Sequence, residues 1–183
     1  MGGIGSLVLY NQPVMFGVKG GLTSIRKHDD MKRKRTKPSH LLSLGEKAPD
    51  FNLSDQSGNQ VTLEIFRGQK NVVLVFYPRD NTPGCTKQLC AIRDQFDLFA
   101  ESETVVLGIS PQDSSSHQRF INRHNFPFPL LVDREKIVVS AYGCRGKLMT
   151  KRTVYGINKK GIIVFARRGM PSIEEILKAF KEQ

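Results

Sequence analysis

The fold of this chain is decided by residues 72–90, Val-Val-Leu-Val-Phe-Tyr-Pro-Arg-Asp-Asn-Thr-Pro-Gly-Cys-Thr-Lys-Gln-Leu-Cys. The unbroken β-branched and aromatic run over residues 72–77 is too short to span a membrane, and it predicts a central strand buried on both faces. The strand ends at Pro78, and turn residues follow. Apolar residues at helical spacing then predict a helix over residues 86–99, which Pro83, Gly84 and Cys85 open.

Cys85 is a candidate nucleophile because it falls in the first turn of this helix. The first backbone N–H groups of a helix lack internal partners and the helix dipole is positive there, so both favour a thiolate over a thiol. Thr82 is expected both to cap the helix and to direct its hydroxyl at the sulfur or at the group that the sulfur attacks, with a cap alone as the alternative. Pro78 either covers the pocket or only terminates the strand. The alternative for Cys85 is a small buried hydrophobic residue.

The spacing Pro-x-x-x-Thr-x-x-Cys, formed by Pro78, Thr82 and Cys85, resembles the signature of the peroxiredoxins. The second cysteine, Cys90, narrows the likeness to the Q-type (bacterioferritin comigratory protein) branch of the alkyl hydroperoxide reductase/thiol-specific antioxidant family. The motif Gly-x-x-Ala-Pro-x-Phe, beginning at Gly45, is similar to the opening of peroxiredoxin domains. The resemblance covers residues 44–183.

This resemblance implies a thiol-dependent peroxidase that acts on hydrogen peroxide and alkyl hydroperoxides without a metal, haem or flavin. Cys85 is expected to attack the O–O bond and become a sulfenic acid. Cys90 is expected to resolve it as an intramolecular disulfide, and thioredoxin or a similar dithiol protein is expected to reduce that disulfide. The alternative for Cys90 is core packing beside Leu89.

A disulfide between Cys85 and Cys90 requires the helix to unwind. Residues five apart on an ideal helix have Cα atoms roughly 8–9 Å apart, whereas a disulfide needs less than about 7 Å. We therefore expect a wound reduced form and a locally unwound oxidised form. A disulfide that forms under this constraint is expected to be readily reducible.

Arg152 is the candidate cation of the site. In peroxiredoxins an arginine at the head of the corresponding strand reaches the nucleophile, and Arg152-Thr-Val-Tyr-Gly-Ile fits that place. Its fixed charge is expected to hold the thiolate and polarise the peroxide. Lys151 and Arg145 are nearby alternatives.

Three further residues were considered for reactivity. Cys144 lies in a polar loop beside basic residues, which allows a reactive thiol, although an incidental surface thiol is the favoured interpretation. His117 and His124 are seven residues apart on one helix face and are interpreted as surface residues. The four histidines do not combine with the three cysteines in a zinc-ligand spacing, and the low cysteine count favours an intracellular redox role.

Residues 1–43 are expected to form a basic, disordered extension. They carry eight Lys/Arg and two Asp, whereas the remaining 140 residues carry 20 basic and 15 acidic side chains. Four interpretations stay open: a dispensable tail, an organellar transit peptide, an arm for nucleic acid or membrane, and an extension upstream of a start at Met31. The predicted location is cytoplasmic, or organellar if the extension is a transit peptide.

Residues 44–183 are predicted to form one α/β domain. A short hairpin around a turn at residues 55–59 is followed by strands at residues 72–77, 104–109, 128–132, 152–158 and 161–166. Helices are predicted over residues 114–124 and 133–142, and from Ser172 onward, where Glu175 completes a capping box. This order indicates a mixed central sheet flanked by helices with an N-terminal β-hairpin, and it is the thioredoxin-like fold that the resemblance also implies.

Two other functions stay open. A thiol-disulfide oxidoreductase shares the fold but normally uses Cys-x-x-Cys, which this chain lacks. A non-enzymatic binding protein could contact nucleic acid through its basic arm, although a nucleic-acid partner is not the expected one. The chain is expected to be a monomer, with a weak dimer as the alternative.

Overall fold

The computed structural model describes residues 40–182, so most of the predicted N-terminal extension lies outside the described residues. Seven strands are present in this part of the chain: β1 Asn52–Ser54, β2 Gln60–Thr62, β3 Asn71–Phe76, β4 Thr104–Ser110, β5 Leu130–Val132, β6 Thr153–Ile157 and β7 Ile163–Arg168. The helices are α1 Pro83–Asp94, α2 Phe96–Glu101, α3 Ser114–His124, α4 Ile137–Ala141 and α5 Ile173–Lys181, with a short 3-10 helix at Glu64–Phe66.

The main sheet has the strand order β5-β4-β3-β6-β7, so β3 lies at its centre, as predicted. β3 pairs in parallel with β4 and antiparallel with β6. The other two pairs are β4 with β5, which is parallel, and β6 with β7, which is antiparallel. β1 and β2 form the predicted separate hairpin. The predicted mixed sheet is therefore confirmed.

The strand β3 contributes to a hydrophobic core on each face of the sheet because its side chains alternate. Val72, Leu74 and Phe76 pack on the face that the hairpin, the 3-10 helix and α4 cover. Val73 and Val75 pack on the opposite face, against apolar side chains of α1, α2, α3 and α5. Burial on both faces explains why the sequence of this strand is continuously apolar instead of alternating.

Several predicted elements have different bounds in the structure, among them the last strand, which was predicted over residues 161–166 and spans Ile163–Arg168. The helix predicted over residues 86–99 is two helices, because the chain leaves helical geometry at Gln95, where φ is −124° and ψ is 25°. The strand predicted over residues 128–132 begins at Leu130. The helix predicted from residue 133 begins at Ile137, because Lys136 adopts a left-handed φ of 56° and Asp133 accepts hydrogen bonds from the amides of Ile137 and Val139.

The two ends of the described chain pack on the domain. The predicted capping box at Ser172 and Glu175 is present and starts α5. At the other end, Leu41 and Leu42 are partly buried against the core, and the Leu42 amide donates to the Tyr155 hydroxyl at 3.1 Å. Ordered packing therefore begins at least two residues before residue 44. None of the helices within residues 40–182 has the length and apolar content needed to cross a bilayer.

Candidate active site

Cys85 is the third residue of α1, which confirms its predicted place in the first turn. Thr82 occupies the N-cap position with φ −86° and ψ 145°, and Pro83 takes the first helical position, where its missing N–H removes no bond. The first helical hydrogen bond runs from the Thr86 amide to the Thr82 carbonyl at 2.9 Å. The amides of Gly84 and Cys85 therefore precede the helical ladder and contribute positive potential where the sulfur lies. Cys85 is 0% exposed.

Arg152 contacts the Cys85 sulfur directly. Its Nη2 donates to Sγ at 3.4 Å, and its Nη1 donates to Oε1 of Gln88 at 2.6 Å. The sheet produces this approach, since Phe76 at the end of β3 pairs with Thr153 at the start of β6. A Cβ on Gly84 would lie only 3.1 Å from Nη2, so the glycine leaves room for the guanidinium.

The two alternative cations lie elsewhere. The Nη1 atom of Arg145 contacts the Ser140 hydroxyl at 3.5 Å. Lys151 is exposed, and its backbone amide donates to the Cys144 carbonyl. Of the three candidates named from the sequence, the structure brings Arg152 to Cys85.

Gln88 belongs to the site and was missed in the sequence analysis. It is buried, and its carbonyl oxygen orients the Arg152 guanidinium, whereas its Nε2 has no hydrogen-bond partner within residues 40–182. A glutamine is usually an exposed polar residue, so its residue type alone does not indicate a place in a buried site. Its position three residues after Cys85, one turn along the same helix face, was the available clue.

Thr82 and Pro78 lie in the loop between β3 and α1. The Thr82 hydroxyl donates to the Arg79 carbonyl at 3.0 Å and makes no capping bond to the helix, so the predicted capping bond is wrong. The hydroxyl instead closes the loop on itself. Pro78 is half-buried and follows Tyr77 at the end of the central strand.

Cys90 lies on the same continuous helix as Cys85. Both cysteines are free thiols, and α1 is wound through both. Cys90 is half-buried and packs against the core on its face of the sheet. Its sulfur also lies 3.9 Å from Nδ1 of His124. Cys90 therefore packs against apolar core residues and also has the His124 imidazole as a polar neighbour.

The interpretation of Cys144 as a surface thiol is wrong. The residue is 0% exposed, and its Sγ donates to the Tyr142 carbonyl at 3.3 Å. Burial raises the pKa of Cys144 from 9.0 to about 11, against a smaller opposing effect of Thr153 and Arg168. The thiol is therefore neutral at physiological pH.

The interpretation of His117 as a surface residue is also wrong, because its side chain is fully buried. Its Nδ1 lies 2.9 Å from Oδ2 of Asp80, which also accepts from the Ser116 hydroxyl at 2.7 Å. Tyr77 donates to the other carboxylate oxygen at 2.8 Å. His124 is half-buried. Sequence periodicity gave no indication of these contacts because Asp80 is 37 residues from His117.

No group of three or more His, Cys, Asp or Glu side chains within residues 40–182 is arranged to hold a metal ion. The polar groups at Cys85 are instead a guanidinium, a carboxamide and the first amides of α1. The guanidinium and the backbone amides are hydrogen-bond donors that suit an anionic sulfur or a peroxide oxygen.

Comparison with known proteins identifies the family. Residues 44–166 match the AhpC/TSA family. Peroxiredoxin Q of Triticum aestivum, named as chloroplastic, is 41% identical over 127 residues, which are 68% of this chain and 58% of that protein. The chain thus matches less than two thirds of that relative's length.

Two solved structures share the fold. Peroxidoxin BcpB from Mycobacterium tuberculosis superposes with a TM-score of 0.72 at 31% identity, covering 78% of this chain and 98% of that one. The second is the Xanthomonas campestris bacterioferritin comigratory protein, solved in complexes that concern its alkyl peroxide reduction activity. It superposes with a TM-score of 0.66 at 26% identity, and the match covers 72% of this chain and 90% of that one. The fold is therefore thioredoxin-like, as predicted, and the chain belongs to the peroxiredoxin Q (bacterioferritin comigratory protein) branch of the AhpC/TSA family.

Proposed function

We propose that the chain is a thiol-dependent peroxidase that reduces hydrogen peroxide and alkyl hydroperoxides through Cys85. The contact between Arg152 and the Cys85 sulfur at 3.4 Å carries this proposal. A guanidinium beside a helix start stabilises a thiolate and the negative charge that develops on the departing oxygen. The alkyl peroxide reduction of the Xanthomonas relative supports the same activity.

In the first step the Cys85 thiolate attacks the terminal oxygen of the peroxide. An S–O bond forms and the O–O bond breaks, and water or an alcohol leaves after taking a proton, so the sulfur becomes a sulfenic acid. Gln88 keeps the guanidinium oriented through its carbonyl oxygen. Because Cys85 is fully buried, the peroxide group can reach its sulfur only after a local movement of the structure. We assign Thr82 and Pro78, in the loop between β3 and α1, as residues that shape the entrance.

In the second step Cys90 resolves the sulfenic acid. The Cys90 sulfur bonds to the Cys85 sulfur, the S–O bond breaks, and the hydroxyl leaves as water with the thiol proton. The wound helix keeps the two residues too far apart for a disulfide, so its first turns unwind in each cycle. The oxidised form then presents the disulfide to a reductant.

Stopped-flow peroxide consumption in the presence of a dithiol reductant, by the wild type, Cys85→Ser and Cys90→Ser, tests both steps. Cys85→Ser is expected to consume none, and Cys90→Ser is expected to react once and stop as a sulfenic acid that dimedone traps. Cys144→Ser serves as the matched thiol control and is expected to cycle normally. Consumption by Cys85→Ser at the wild-type rate would refute the proposal.

We propose thioredoxin or a similar dithiol protein as the electron donor, and a monomer as the active form. Steady-state turnover with a thioredoxin system, compared with a glutathione–glutaredoxin system, tests the donor. Sedimentation velocity of the reduced and oxidised protein tests the monomer. A dimer that persists at nanomolar concentration would reject the second proposal.

Two other functions have distinct outcomes. A thiol-disulfide oxidoreductase would reduce insulin rapidly, whereas a peroxidase with this cysteine spacing is expected to consume peroxide and leave insulin intact. A binding role for the basic arm would appear as salt-dependent retention on DNA that disappears when residues 1–37 are deleted. The excess of Lys and Arg in residues 1–43 is the observation that keeps this second function open.

The location has two alternatives. We propose the cytoplasm, whereas the chloroplastic name of the wheat relative supports the transit-peptide alternative for residues 1–43. Cell fractionation with N-terminal sequencing of the mature protein distinguishes them. An intact N-terminus in the cytoplasmic fraction supports the first location, and cleavage within residues 1–43 in an organelle supports the second.

A further inference from the structure

The end of α3 meets α1 at Cys90, away from the contact between Arg152 and Cys85. The Cys90 sulfur lies 3.9 Å from Nδ1 of His124, within the range of a hydrogen bond to sulfur. Cys90 is half-buried and packs against the core on its face of the sheet. Its polar neighbours are the imidazole of His124 and, through its charge, Arg93 of the same helix.

The His124 ring is held in place by aromatic packing and by a link between the two helices. It stacks on Phe126 with ring centroids 5.5 Å apart, and Phe120 packs edge-on at 5.2 Å. From α1, Nη1 of Arg93 donates to the His124 carbonyl at 2.6 Å. Two neighbouring aromatic rings thus hold the imidazole, and one bond from α1 holds the backbone of His124.

Burial and two neighbouring positive charges favour the neutral imidazole of His124. Arg123 precedes it on α3, and Arg93 approaches from α1, where its guanidinium also pairs with Asp94. Burial, and then the charges of Arg123 and Arg93, lower the pKa of His124 from its usual 6.5. A neutral imidazole can accept a proton through Nδ1.

We propose that His124 accepts the Cys90 proton when Cys90 attacks the sulfenic acid, an inference that rests on the proposed function. The S–S bond forms and the S–O bond breaks. The thiol proton moves to Nδ1 of His124 and is then returned to the departing hydroxide, so water leaves and the imidazole is neutral again. His124 is thus the general base of the resolution step, and Arg152 serves the peroxide step.

The test follows disulfide formation after one equivalent of peroxide in the wild type, His124→Gln and His124→Phe. Acid-quenched samples analysed by mass spectrometry separate the thiol, sulfenic acid and disulfide forms, which suits a chain without Trp. His124→Phe keeps the aromatic packing and removes the nitrogens. His40→Gln is the matched control because His40 is exposed. Thermal unfolding verifies that each variant is folded.

Both His124 variants are expected to form the disulfide at least about tenfold more slowly, and dimedone is expected to trap more sulfenic acid. The wild-type rate should level off with rising pH once the imidazole is neutral, whereas the rate of the variants should keep increasing as the pH rises. A merely structural role would not change the shape of this profile. Wild-type rates and an unchanged profile in both variants would overturn the inference.

A second measurement separates this inference from the proposed function. If the wild type consumes no peroxide, the proposed function fails, and His124 is then tested by alkylation of Cys90 with iodoacetamide in a Cys85→Ser background. His124→Phe is expected to lower the alkylation rate at pH 7 about tenfold in that background. Equal rates with and without the imidazole would reject His124 as a proton acceptor.

Discussion

At the scale of single residues, the planar guanidinium of Arg152 explains the choice of arginine. One of its nitrogens donates to the Cys85 sulfur and another to Gln88, a fork that the ammonium group of lysine cannot reproduce. We expect Arg152→Lys to lower the second-order rate constant with hydrogen peroxide about 100-fold. Stopped-flow consumption measures it, with Arg145→Lys as the control, because Arg145 contacts Ser140. If Arg152→Lys reacts with hydrogen peroxide at the wild-type rate, the guanidinium is not required for the reaction.

The buried thiol of Cys144 gives a prediction about pH. Burial raises its pKa from 9.0 to about 11, so the folded protein favours the neutral thiol. Alkylation of native protein by iodoacetamide at pH 8 should modify the half-buried Cys90 and leave Cys144 unmodified, and Cys144 should react only as the pH approaches 11.

The same pKa shift sets the sign of a stability effect. The neutral thiol stabilises the fold fully below about pH 9, and this contribution is lost as the pH rises from 9.0 to about 11. Between these values, wild-type stability in urea should fall more steeply than that of Cys144→Ala. A steeper fall for Cys144→Ala would contradict the assigned pKa direction.

At the scale of elements, the start of α1 carries the buried nucleophile Cys85 on a helix turn that is weakly anchored. Thr82 makes no side-chain capping bond, and the first turn contains no acidic residue that would favour the helix dipole. The following part of the helix is buried through Leu89 and Ile92. Unwinding is therefore expected to begin at the amino end of α1 and to stop where apolar packing begins.

A helix-stabilising substitution in this turn tests the unwinding step. Thr86→Ala raises helix propensity by about 0.6 kcal/mol, which should slow disulfide formation up to about threefold if unwinding precedes resolution. Quench-flow mass spectrometry measures this rate. Asn122→Ala, at an exposed position of α3, raises the propensity of a different helix and is the control. If Thr86→Ala forms the disulfide as fast as the wild type does, unwinding does not limit the rate of resolution.

At the scale of the whole molecule, the local sequence pattern was sufficient to predict the helices and strands. The features that it did not predict depend on tertiary contacts. The apolar run of β3 and the Ser172 capping box are local features, so strand and helix were both predictable. The burial of Cys144 and His117 depends on partners far along the chain, as the contact between His117 and Asp80 shows. The site was predicted from the Cys85 spacing, whereas Gln88 became apparent only through its bond to Arg152.

The cluster of Tyr77, Asp80 and His117 joins three parts of the domain. Nε2 of His117 lies 3.2 Å from the Leu131 carbonyl, which only accepts, so Nε2 carries a hydrogen. Nδ1 of His117 lies 2.9 Å from Oδ2 of the Asp80 carboxylate. Burial, and then the charge on Asp80, raises the pKa of Tyr77 well above its usual value, so its hydroxyl remains a donor. The Asp80 carboxylate therefore links the loop that precedes α1 to α3. The His117 imidazole extends this link to β5.

Removing the imidazole from this cluster should destabilise the whole domain. His117→Phe leaves Asp80 buried with hydroxyl donors alone, and we expect a loss of about 3–5 kcal/mol in urea unfolding because a buried charge has lost its partner. Asp80→Asn in the same chain removes that charge, so the double variant should lose less than the sum of the single variants. Strict additivity would show that His117 stabilises the fold by packing alone, and the loop that carries Thr82 would then have a different anchor.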